Sequence, residues 1–125
     1  MYVDAPVVNF LSCPCGFGAA NPLSEEAISK FLRIMGLASV PQLLACRDMP
    51  LDKLATLTAH NIPIVMVSGD SDTVVPFEEN GLLVQKAYKD AGAEIAVYIK
   101  PGCDHHPHGL PDPTPVVTFI LEHCV

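Results

Sequence analysis

The sequence predicts an α/β fold in which a short, mostly parallel sheet is flanked by helices in three layers. Three observations carry that prediction. Apolar runs of strand length alternate with segments of helical period, in the order strand, helices, strand, helix, strand, helix, which is a doubly wound pattern. The run Ile64-Val65-Met66-Val67-Ser68 is apolar without alternation, as expected of a strand covered on both faces. Half of the 125 residues are hydrophobic, enough for a packed core in a chain of single-domain length.

Tyr2 to Phe10 begins with β-formers but contains Pro6, which a central ladder position resists, so a short strand leaves the sheet near Pro6. Leu11 to Pro22, rich in Gly, Pro, Cys and Asn and without a clear period, is a loop. Ser24 then caps an amphipathic helix. Glu25 and Glu26 suit its positive end, Ala27, Ile28, Phe31, Leu32 and Met35 supply its apolar stripe, and Gly36 stops it. Pro41 and Pro50 each open a further short helix, the second carrying Leu51, Leu54 and Leu57. Residues 24–58 thus form a compact helical segment.

Pro63 introduces the buried strand, and Glu78 to Ala91 form the helix after it, with Leu82, Leu83, Ala87 and Tyr88 toward the sheet and Gly92 as its stop. Ala93 to Ile99 alternate enough to suggest a strand near a sheet edge. After the loop from Lys100 to Pro115, Val116, Val117, Phe119, Ile120 and Leu121 form the buried face of a terminal helix. Three or four parallel strands are few for a complete sheet of this class.

Fourteen acidic residues against seven Lys plus Arg argue against nucleic acid as a partner, and the apolar content argues against disorder. No apolar run reaches the roughly 18–20 residues that span a bilayer, and Met1 is not followed by a basic leader, so a cytoplasmic location without membrane contact is expected. Five cysteines, an odd number, are expected to be reduced.

Chemistry concentrates in two loops, each directly after a predicted strand, where open α/β sheets gather their functional groups. The first, Gly69-Asp70-Ser71-Asp72-Thr73-Val74-Val75-Pro76, offers Asp70 and Asp72. Its plainer reading is an Asp-rich turn whose carboxylates serve local backbone donors. The second, Gly102-Cys103-Asp104-His105-His106-Pro107-His108-Gly109, holds three of the five histidines. An imidazole oriented by a carboxylate relays protons between nucleophile and leaving group, and Asp72 is placed to orient one. The histidines with Asp104 or Cys103 are also conceivable zinc ligands, but their spacing matches no strong zinc signature and neighbours on a Pro-bounded loop need not converge. Neither a metal nor a cofactor is therefore expected.

Two blocks, IPIVMVSGDSDTVVPFEEN from Ile62 to Asn80 and VYIKPGCDHHPHGL from Val97 to Leu110, resemble the α/β-hydrolase family, in particular its small serine esterase-like and peptidase-like members. The first is similar to the family's G-x-x-D-x-x-V-P segment and the second to its histidine loop. The resemblance implies Asp72 as the catalytic acid and His105 as the catalytic base, in the family's chain order. Asp104 stands where the family usually has glycine, a departure that bears on loop geometry and on the imidazole's charge. Cys13-Pro14-Cys15-Gly16 resembles the segment after the strand beyond the nucleophile helix, and residues 24–58 a helical cap. The likeness runs over nearly all of residues 1–125, but only over the later, C-terminal half of a family member.

What the resemblance lacks is the nucleophile, since no G-x-S-x-G elbow occurs in these residues. Ser12, Cys13, Cys15, Ser71 and Cys103 are the internal candidates to replace it. Cys13-Pro14-Cys15 lacks the spacing of a redox dithiol. The expectation is a serine-type hydrolase of ester or related acyl bonds, inactive as this chain alone. The competing expectation is a noncatalytic module of the same half-fold, which forms a homo-oligomer or pairs with a complementary chain supplying the missing half.

Overall fold

The computed structural model describes residues 1–124. Three parallel strands, β1 (Tyr2–Asp4), β2 (Ile64–Gly69) and β3 (Ile95–Lys100), lie side by side in the order β1-β2-β3. Five helices accompany them: α1 (Glu25–Ile34), α2 (Val40–Ala45), α3 (Leu54–Ala59), α4 (Gly81–Asp90) and α5 (Thr114–His123). The arrangement is a small three-layer α/β fold.

Alternation of side chains along β2 builds the layers. Ile64 and Met66 point to one face, where they pack with Leu54 of α3 and Val84 and Tyr88 of α4. Val65 and Val67 point to the other, against Val116 and Phe119 of α5. Covered on both sides, β2 is buried along its whole length, which is why its sequence does not alternate. β3 pairs only with β2 and is half-buried along most of its length, as its alternation predicts. A third cluster, Leu32, Leu43 and Met49, holds α1 and α2 together beside the sheet, with Phe10 and Phe31 in edge-to-face contact.

β1 leaves the sheet just before Pro6 as expected, ending at Asp4 because Ala5 takes a left-handed φ of 39° that turns the chain out. Two boundaries differ from expectation. The helix opened by Pro50 is split, a 3₁₀ turn over Pro50–Lys53 preceding α3. The helix expected from Glu78 begins at Gly81, after a 3₁₀ turn at Phe77–Glu79 and a non-helical Asn80. The buried Asn80 side chain explains that break. Its Oδ1 accepts from the backbone N–H groups of Val8 (3.1 Å) and Asn9 (3.0 Å), and its Nδ2 donates to Ser12 Oγ and the Pro76 carbonyl. Its full use in tying the β1 exit to α4 outweighs one more turn of helix.

Ser24 caps α1 through its Oγ, which accepts from the Ala27 N–H. All five cysteines are free. Among the described residues, no helix is long and apolar enough to cross a membrane.

Candidate active site

The loops after β2 and β3 meet above the carboxyl end of the sheet because their strands are neighbours in register, Gly69 lying opposite Lys100. Glycine at 69 is required by that contact, since a Cβ there would sit 2.2 Å from the Cys103 carbonyl oxygen. Backbone bonds then stitch the loops together, Asp70 N–H donating to the Lys100 carbonyl and Ser71 N–H to that of Cys103.

Three aspartates extend the stitching, each differently. Asp70 Oδ1 accepts from the Gly102 N–H (2.7 Å) and from Ser71 Oγ. Asp104 Oδ1 accepts from the Thr73 N–H (2.8 Å) and from the His105 N–H (2.7 Å), while Thr73 Oγ1 donates to the same carboxylate. Those backbone bonds, Thr73's first, hold the Asp104 carboxyl below the usual range. The residue standing where the resembled family has glycine is thus a clamp between the two loops.

Asp72 is the buried member. Its side chain is 1 % exposed, its Oδ1 accepts from the N–H groups of Val74 (2.9 Å) and Val75 (2.7 Å), and its Oδ2 lies 2.9 Å from His105 Nδ1. One Asp72 oxygen thus serves the local turn and the other faces the imidazole. A carboxylate in this role accepts only, so Nδ1 carries the proton, and neutral His105 presents Nε2 as a bare lone pair. A proton acceptor needs this tautomer.

A second pair lies alongside. The His loop returns across the sheet to β1, where Asp4 accepts from the Gly109 N–H and from Tyr2 Oη (2.7 Å) and approaches His108 Nδ1 at 3.5 Å. Burial works to raise the Asp4 carboxyl, but the bonds from Tyr2 and Gly109 and the nearby His108 outweigh it and hold it low. Tyr2 is pushed up to about 12 by desolvation and by the same carboxylate. Lys100 anchors the loop from below, its Nζ donating to the Pro107 carbonyl. Sequence reasoning missed this pair. An Asp closing a strand was its only signal.

Four of the five internal candidates for a nucleophile are engaged or disfavoured where they stand. Ser12 is fully buried, donates to Glu79 Oε2 at 2.5 Å and accepts from Asn80. Burial, with the nearby charge of Asp72, pushes the Cys13 thiol up, and burial alone does the same to Cys15, so both disfavour the reactive thiolate. Ser71 is spent on Asp70. Cys103 lines a groove of about 600 Å³ with Ile99, Pro107, His108 and Leu110, a groove that neither Asp72 nor His105 lines.

The histidines converge more than their spacing suggests. One ring nitrogen from each of His105, His106 and His108 lies within 4.8 Å of the other two.

Searches against protein-family models and curated proteins find no match to the chain. The fold and site define a three-layer α/β protein with a buried carboxylate orienting an imidazole at the carboxyl end of a parallel sheet.

Proposed function

We propose that the chain is the acid-and-base half of a serine-type α/β hydrolase acting on a carboxylic ester or related acyl bond. The Asp72–His105 hydrogen bond carries the reading. A buried acceptor fixed by two backbone N–H groups engages Nδ1 of the imidazole, the arrangement that leaves Nε2 free to serve as a base. In the complete site a serine hydroxyl would give its proton to Nε2 as it attacks the acyl carbon. His105 would return that proton to the leaving group as the tetrahedral intermediate collapses, and Asp72 would stabilise the imidazolium between these steps. The order Asp72 before His105 is that of the acid and the base in α/β hydrolases.

The serine and the oxyanion donors have no counterpart in these residues, so the chain alone is expected to leave a short-chain aryl ester unhydrolysed. Turnover by this chain, abolished in both His105→Ala and Asp72→Ala, would contradict that expectation. The wider reading is tested by searching the upstream coding sequence for G-x-S-x-G. Where one is found, the joined product should hydrolyse the ester, and His105→Ala should lower kcat on the order of 10⁶-fold. Unchanged kcat in that variant would overturn the assignment.

A second reading, a noncatalytic module that pairs with a copy of itself or with a complementary chain, is favoured by β1. Among the described residues this strand has a partner strand on one side only, and an apolar groove of about 220 Å³ lined by Met1, Val3, Val7, Pro50 and Leu57 runs beside it. Sedimentation velocity at micromolar concentration separates the readings, since a stable monomer argues against the module.

A further inference from the structure

The three histidines after β3 form a cluster that proton relay through His105 alone does not use. Their rings stand mutually edge to face, with centroids 5.0 Å apart for His105 and His106, 5.1 Å for His105 and His108, and 4.6 Å for His106 and His108. Two of the three are backed by carboxylates on the same ring atom, His105 Nδ1 by Asp72 at 2.9 Å and His108 Nδ1 by Asp4 at 3.5 Å. Metal-binding imidazoles are oriented in this way, an outer carboxylate on one nitrogen setting the tautomer and leaving the other to ligate.

We propose that His105, His106 and His108 bind one divalent transition-metal ion, zinc being the best match, with Asp72 and Asp4 as the outer carboxylates. Three neutral imidazoles suit zinc, which takes nitrogen ligands at about 2.0–2.1 Å in a tetrahedron and leaves the fourth position to solvent when the protein supplies three. Ligands on such an ion lie roughly 3.3 Å apart by that geometry. The imidazole nitrogens, all within 4.8 Å of one another, are near enough to reach that spacing by small ring rotations. His106 and His108 are exposed and can rotate to do so, while His105 stays fixed on Asp72. The two carboxylates, buried or nearly so, offset the charge that the neutral rings do not. This site does not depend on the hydrolase reading, but both use Nε2 of His105. An ion seated here blocks that nitrogen as a base.

The test is titration of Co²⁺, as a visible stand-in for zinc, into the reduced, metal-stripped full chain, followed by competition with Zn²⁺. The expected result is one ion per chain with the strong visible bands of a four-coordinate site, displaced by zinc. His106→Ala and His108→Ala, at exposed positions that leave the fold intact by circular dichroism, should each weaken binding roughly tenfold or more. Asp4→Asn should weaken it about tenfold through the outer shell. Absence of saturable binding, or binding that survives both histidine substitutions, overturns the proposal. Because the readout is the ion and not ester turnover, failure here leaves the hydrolase reading standing, and the converse also holds.

Discussion

Two histidines of one loop each face a carboxylate from a different part of the fold, and the two pairs are built to different standards. Asp72 is 1 % exposed and its free oxygen is held by two backbone N–H groups, so its distance to His105 is a short 2.9 Å. Asp4 is 16 % exposed, accepts from both Tyr2 and Gly109 on Oδ2, and reaches the half-exposed His108 through Oδ1 only at 3.5 Å. The difference teaches that an oriented imidazole depends less on having a carboxylate nearby than on what fixes that carboxylate. The first pair is pinned between two neighbouring strand ends, whereas the second spans from β3 to the far strand β1.

The comparison is broken most directly at its strong end. Asp72→Ala removes the acceptor of two backbone donors and of His105 at a buried position, and should cost about 3 kcal/mol of stability by chemical denaturation. A loss no larger than that of the equivalent Asp4 change would erase the distinction. Gly69→Ala should cost about 2 kcal/mol, since its Cβ must push the Cys103 carbonyl away from 2.2 Å, and should also lengthen the Asp72–His105 contact. Asp4→Asn should cost about 1 kcal/mol, leave the signals of His105 in place and shift those of His108.

Acid sharpens the contrast with a smaller effect. The folded carboxyls of Asp4 and Asp104 lie below their ordinary 3.8, so the folded chain binds fewer protons there than the unfolded one. Their contribution is fully present above 3.8 and is lost as pH falls through the lowered values. The denaturation midpoint should therefore fall in that window, and the slope should flatten in Asp104→Asn.

Much of this was legible in the sequence, for physical reasons. The unbroken apolar run at β2 reports burial on two faces, and the alternation of β3 reports an edge. The approach of Asp72 to His105 was legible because each sits in a loop that directly follows a strand, and neighbouring parallel strands bring such loops together. What stayed hidden depends on partners distant in sequence. The break at Asn80 is made by Val8 and Asn9, more than 70 residues away, and no local pattern encodes it. The approach of Asp4 to His108, and the mutual approach of the three imidazoles, follow from a loop that doubles back across the sheet. Asp104 was visible as a departure from glycine, but its role as a clamp needed the position of Thr73.

The central claim is that Asp72 holds His105 as the Nδ1–H tautomer with Nε2 bare. Long-range ¹⁵N–¹H correlation spectra of the imidazoles at neutral pH, in the metal-free chain, test it directly. The account predicts a protonated Nδ1 and an unprotonated Nε2 for His105, with that preference lost in Asp72→Ala. A His105 ring protonated at Nε2 instead, or one whose tautomer ignores the substitution, would contradict it.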